Sequence, residues 1–251
     1  MPRSQDSQPG IFDAVALHWR DMAVHRGSLG ATTGLLRSLW EFARDSTPSR
    51  LKRRFGDAEY DWDHRVNTTS GAVGWRDRLL GVLHSQYQPT EPVIFREMLD
   101  TLHQHSNLNF EDFTFVDLGS GKGRTLLMAA DYPFKRIIGV ELLPTLHQIA
   151  QQNIADYKAE SQKSFALESI CADASTFSPP EGALLIYLFN PFPETILRQV
   201  AANIRKSLKM NPRPLFVVYH NPEHEHVLED MLEHSRLAGT HQYSMFQVNP
   251  S

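Results

Sequence analysis

Three glycines at alternate positions, Gly119, Gly121 and Gly123, follow Asp117 in the stretch FTFVDLGSGKGR, residues 113–124. Glycines at this spacing leave no side chain between the backbone and a ligand and permit φ above zero. A dinucleotide fingerprint is G-x-G-x-x-G and rests a pyrophosphate on the loop. Here the glycines run G-x-G-x-G, with a carboxylate two residues before the first. That carboxylate would repel a pyrophosphate and suits a ligand carrying an ammonium and a sulfonium charge.

Other polar residues stand where strands are expected to end, which is where open α/β sheets bind ligands. Glu141 follows a hydrophobic run, 18 residues after Gly123. Its carboxylate can accept both hydrogen bonds of a ribose diol. A nicotinamide enzyme would use a similar acid, so the glycine spacing separates the two classes. Asp173 lies in ICADAS, and Asn190-Pro191-Phe192 closes another apolar run. Tyr219-His220-Asn221-Pro222 closes a fifth. His220 could act as a general base, and a turn leading into a helix explains the same residues without chemistry. His224 and His226 point to different faces of a helix and do not form a metal pair. Cys171 reads as a small buried hydrophobe rather than a nucleophile. No G-x-S-x-G, HExxH or Walker motif is present.

The elements that must position these residues alternate strand and helix from Phe113 onward. The runs 113–118, 136–142, 167–173, 183–190 and 214–220 read as five strands, and 241–248 as a final antiparallel one. Helices separate them, except between the third and fourth strands, where Pro179, Pro180 and Gly182 leave only a short loop. Little sequence remains for a sixth strand. The fold class is therefore α/β: a doubly wound, mostly parallel sheet with its C-terminal strands shortened and an N-terminal helical extension. Residues 1–84 form that extension and 85–251 the sheet domain.

Within the extension, helices are expected over 11–26 and around Leu36, Leu39, Trp40 and Ala43. SRLKRRF, residues 49–55, is a basic run that reads as a solvated face or linker. Residues 60–75, YDWDHRVNTTSGAVGW, are rich in turn formers and form either a cover over the ligand site or a passive connector. A helix bearing Ile94, Phe95, Met98, Leu99 and Leu102 on one face leads into the first strand.

Composition narrows the partners. A formal net charge of -4 carries no broad electrostatic footprint for nucleic acid. One cysteine excludes an intramolecular disulfide and a multi-cysteine zinc site. No apolar run approaches the roughly 18 residues of a bilayer span, and MPRSQDSQPG lacks a signal core, so a cytoplasmic location and no membrane partner are expected.

Together, VDLGSGKG, Glu141, ICADAS and the Asn-Pro-Phe after the fourth strand resemble the class I S-adenosylmethionine (SAM) methyltransferases, over residues 85–251. The resemblance implies SAM as cofactor, S-adenosylhomocysteine as product and no metal. It implies that Asp117, Gly119, Ser120, Gly121, Gly123, Glu141 and Asp173 hold the cofactor, Glu141 at the ribose and Asp173 at the adenine amino group. Tyr87 and Thr90, just before the first motif, would cap the methionine end. Asn190, Pro191 and Phe192 would orient a nitrogen acceptor, although NPF differs from the NPPY of the adenine and glutamine enzymes. VDLGSGKG, the Asn-x-Phe and the helix after it also look like the non-SET histone-lysine methyltransferases and related protein-lysine enzymes. A protein lysine is the favoured acceptor. A small-molecule N- or O-methyltransferase and a non-catalytic SAM-binding regulator are the alternatives. The sequence leaves the oligomeric state open.

Overall fold

The computed structural model describes Thr32 and residues 58–69, 89–106, 108–190 and 192–249. The helices expected at 11–26 and 36–43, the basic run 49–55, Tyr87 and Pro191 lie outside them. The chain divides into two compact units, residues 1–55 with 73–86 and residues 56–72 with 87–251. All that follows concerns the second.

Seven strands form one sheet in the order β3-β2-β1-β4-β5-β7-β6. They are β1 (Phe113–Leu118), β2 (Arg136–Glu141), β3 (Leu167–Cys171), β4 (Ala183–Phe189), β5 (Leu215–His220), β6 (His234–Gly239) and β7 (Tyr243–Val248). The first five are parallel; β7 runs antiparallel to β5 and β6. The helices are α1 (Ala58–His64), α2 (Pro92–Ser106), α3 (Arg124–Ala129), α4 (Pro144–Asp156), α5 (Glu194–Met210) and α6 (Glu225–Met231).

The central strands are buried on both faces, which is why β1 and β5 read as unbroken apolar runs. Alternation along each strand divides the core in two. On one face Phe115, Leu185, Tyr187 and Val218 pack with Phe95, Met98, Leu99 and Leu102 of α2 and with α3. On the other, Val116, Ile186 and Val217 pack with Leu197, Val200, Ala201, Ile204 and Leu208 of α5 and with α6. Chain order reverses between β1 and β4, so the carboxyl ends of these two strands open the crevice in which such sheets bind ligands.

Three sequence expectations are corrected. A sixth strand does fit, because α6 is only seven residues long and β6 begins three residues after it. Cys171 is exposed rather than buried, because β3 is the edge strand and Cys171 its last residue. Residues 60–64, read as irregular, belong to α1. Among the described residues no helix is long and apolar enough to cross a membrane, and no three His, Cys, Asp or Glu side chains gather as metal ligands.

Candidate active site

The turn after β1 is built by backbone. Gly119, Gly121 and Gly123 adopt φ of 89°, 55° and 81°, values that favour glycine. The N–H groups of Gly119 and Ser120 donate to the carbonyl of Val140 at 2.8 and 3.1 Å, and Gly123 N–H donates to Ser120 O at 2.8 Å. The loop thus folds over the end of β2 before α3 begins. Ser120 turns its side chain inward, against Gly139 of β2: a Cβ on Gly139 would lie 2.6 Å from Ser120 Oγ and 2.7 Å from Leu126 Cδ1. Replacing Gly139 with alanine is expected to cost about 1–3 kcal/mol through overpacking. Urea unfolding measures it, and an unchanged midpoint would show that the loop can move aside.

Two carboxylates flank this turn. Asp117 is 2% exposed and accepts from the Thr125 hydroxyl. Burial pushes its carboxyl up to about 7, the Thr125 bond opposes the rise, and the Glu141 charge adds to it. Glu141 is also buried, and burial raises its pKa against the pull of backbone donors. Its Oε2 accepts Gly121 N–H at 2.8 Å and its Oε1 accepts Leu143 N–H at 2.8 Å, tying the loop to the strand end. Among the described residues no cation is placed to offset either charge. Burying anionic charge without a cation is costly, so this turn is suited to a cationic ligand.

The two basic residues of the first motif turn away from these acids. Lys122 and Arg124 are buried against residues 61–69, which form a strap. Lys122 Nζ donates to Asn67 Oδ1 at 3.1 Å and to Thr69 O at 2.6 Å, and burial lowers its pKa to about 8. Arg124 Nε donates to Thr68 Oγ1 at 2.6 Å, Nη2 pairs with Asp61 at 3.3 Å, and the guanidinium lies over Tyr60, 4.9 Å from the ring centre. Asp61 in turn accepts the N–H groups of Thr68 and Thr69 at 2.7 and 2.8 Å. Asn153 of α4 bonds both sides of the joint, to Asn67 O at 3.0 Å and to Lys122 O at 2.9 Å. Residues 61–69 are therefore a fastening on the glycine loop, neither a loose connector nor an open cover. Sequence reading missed it because its halves stand more than fifty residues apart.

The residues expected at the acceptor are less concentrated. Asn190 follows β4 with φ of 38°, a left-handed conformation that asparagine tolerates, and its Oδ1 accepts from the Tyr219 hydroxyl at 3.0 Å. Phe192 packs against the α5/α6 core, on the opposite sheet face from Asp117. On the Asp117 face it is Phe189 that presents an aromatic ring, stacked on His220 with centroids 4.0 Å apart. Asp173 is exposed and accepts Ser175 N–H at 2.8 Å in a local turn. Thr90 is buried, its hydroxyl 2.8 Å from that of Tyr187.

This sheet, with its glycine turn at the β1/β4 crevice, is the seven-stranded methyltransferase architecture. By strand order, the chain has the fold of the class I SAM-dependent methyltransferases. Residues 84–171 match the family model for histone methylation protein DOT1. Over 73 residues, 27% of the chain, it is 36% identical to "Histone-lysine N-methyltransferase, H3 lysine-79 specific" of Drosophila melanogaster, of which it spans only 4%. Solved structures with a similar fold include an RNA methyltransferase from Salinibacter ruber in complex with S-adenosyl-L-homocysteine, 16% identical. It covers 65% of this chain and 95% of that one, with a TM-score of 0.45. A dimethyladenosine transferase from Plasmodium falciparum is 10% identical, covering 66% and 64%, also with a TM-score of 0.45. The match to the DOT1 model spans α2, the glycine turn, Glu141 and β3, the half of the sheet that carries both buried carboxylates.

Proposed function

We propose that the chain transfers a methyl group from SAM to a nitrogen nucleophile, in the first instance the side-chain amine of a protein lysine. The observation that carries this reading is the pair of buried carboxylates at a glycine turn within the segment matching a histone methylation family. SAM fits the residues present. Asp117, buried and in want of a cation, suits the ammonium of the methionine moiety. Gly123 lets the turn pack closely on α4, since a Cβ there would meet Ala150 Cβ at 3.2 Å. Glu141 and Asp173 would receive the ribose and the adenine, with Thr90 near the methionine end.

When bound, SAM supplies a methyl group activated on a sulfonium. The chain's residues have then to orient the acceptor, exclude water and favour a neutral amine. Tyr219 fixes the Asn190 carbonyl, so that Asn190 presents its amide in one orientation beside the crevice. The backbone carbonyl of Asn190 would accept an acceptor N–H. Desolvation near Phe189 would lower the pKa of an entering lysine below its usual value of roughly 10.4.

Incubating the purified chain with methyl-labelled SAM and a lysate from cells lacking its gene tests the reading. Label recovered as methyl-lysine after acid hydrolysis of the protein fraction is the expected result. Label confined to small molecules would replace lysine with a metabolite acceptor. SAM binding with no label in any fraction would favour a cofactor-binding regulator. Asn190→Gly keeps the backbone conformation and removes the amide; turnover should fall about tenfold or more, with SAM affinity nearly unchanged. Equal loss of both would move Asn190 into the cofactor site. The reducing cytoplasm is the proposed location.

A further inference from the structure

Three polar side chains from distant parts of the chain meet inside the apolar core on the Asp117 face. The Tyr187 hydroxyl lies 2.8 Å from Thr90 Oγ1 and 2.9 Å from His220 Nδ1. Thr90, Tyr187 and His220 are 2%, 1% and 7% exposed. The Tyr187 ring is wedged between Phe95 of α2 and Phe115 of β1, at centroid distances of 5.7 and 6.1 Å. Tyr187 is the register neighbour of Asp117 on the adjacent strand, so the network lies beside that carboxylate.

The network contributes little net stability. Three buried polar groups that satisfy one another roughly break even with apolar residues of the same shape, and a partly satisfied set is worse than either. What it supplies is position. Tyr187 and His220 stand on β4 and β5, rigid parts of the sheet, whereas Thr90 lies in the short segment before α2. Among the described residues, the only hydrogen-bond partner of the Thr90 side chain is the Tyr187 hydroxyl. A Thr90 hydroxyl that donates to Tyr187 has no proton left to donate to a ligand.

We propose that Thr90, Tyr187 and His220 form a positioning brace, in which Thr90 donates to Tyr187 and Tyr187 to His220 Nδ1, holding residues 89–91 against the carboxyl edge of β1 and β4. This rests on the SAM-binding reading above, because the segment so held borders the Asp117 end of the site. Burial lowers the His220 pKa to about 4, so the ring is neutral at neutral pH and offers one acceptor nitrogen, as the brace requires. A single-proton hydroxyl between two partners can donate to only one of them; a neutral Nδ1 acceptor fixes the direction.

The side-chain amide of asparagine overlays Nδ1 of histidine and that of glutamine overlays Nε2, so conservative replacements separate the two ring nitrogens. SAM titration by calorimetry, with thermal melting as a control for folding, is expected to show affinity reduced about tenfold or more for Tyr187→Phe, Thr90→Val and His220→Gln. Thr90→Ser and His220→Asn should stay within about threefold of the native chain. Nitrogen-15 NMR of the native chain should show His220 protonated on Nε2 and bare on Nδ1. Protonated Nδ1 overturns the brace even if the variants fail to fold. Native SAM affinity in Tyr187→Phe and Thr90→Val overturns the brace and leaves SAM binding standing. A native chain that does not bind SAM removes both.

Discussion

Asp117→Asn makes the ligand-free chain more stable at ~pH 8 and at the same time weakens SAM binding on the order of 10- to 100-fold. Both effects come from one buried carboxylate whose pKa burial has pushed up to about 7. An acid with a folded-state pKa above its unfolded value binds its proton more tightly when folded. Its contribution is therefore fully present below the unfolded value near 3.8 and is lost as pH climbs to about 7. Above that, the folded chain holds an uncompensated charge in its core. Asparagine removes the charge and can keep the bond to the Thr125 hydroxyl. Unfolding free energies measured by urea from ~pH 5 to 8 should fall more steeply for the native chain than for the variant, the gap reaching a few kcal/mol. Glu141 titrates in the same direction, and its charge raises the Asp117 pKa, so the difference between the two curves reports Asp117 together with its coupling to Glu141. Parallel curves would mean that Asp117 is already neutralised, and its proposed role at the ammonium would go with them.

The second large effect belongs to the strap. Arg124 is 2% exposed and serves Thr68, Asp61 and the Tyr60 ring together. Arg124→Met retains much of the packing and leaves Asp61, only 12% exposed, without its guanidinium. Breaking one side of a buried ion pair costs roughly 3–5 kcal/mol. Because the strap is a short segment held largely by such bonds, the loss should show first as local release. Limited proteolysis should cut the variant within residues 58–69 at protease levels that leave the native chain whole. Lysine at 124 should not restore protection, since a single ammonium cannot span Thr68 and Asp61 as the guanidinium does. Cleavage rates equal to native would show that Asn153 and Lys122 hold the strap unaided.

Much of this was legible in the sequence, and the residues show why. The glycine spacing, the carboxylates at 117 and 141 and the parallel core strands are local signals: a turn needs φ above zero within a few residues, and a doubly buried strand needs a continuous apolar run. The order of elements then gave the sheet. What escaped depends on distant pairing. Residues 58–69 hide their role because α1 is one short helix whose anchoring residues, Tyr60, Asp61 and His64, carry no amphipathic repeat and find their partners at 124 and 157. HSRLAG, the β6 sequence, is half exposed at the sheet edge, so it lacks the apolar alternation that marks a strand. Cys171 misled for the same edge reason on the other side. Asn-Pro-Phe follows the fourth strand as read, while the ring stacked at the Asp117 face is Phe189, three residues before Phe192. Only the pleat, which alternates side chains between faces, distinguishes them.

Calorimetric titration of the purified chain with SAM, and separately with NAD, tests the proposed site most directly. A saturable heat with SAM, shifted to on the order of 10- to 100-fold weaker affinity in Asp117→Asn, and none with NAD is the predicted result. Binding of NAD, or no heat with SAM at any concentration up to its solubility, would contradict a methyl-donor site at the glycine turn.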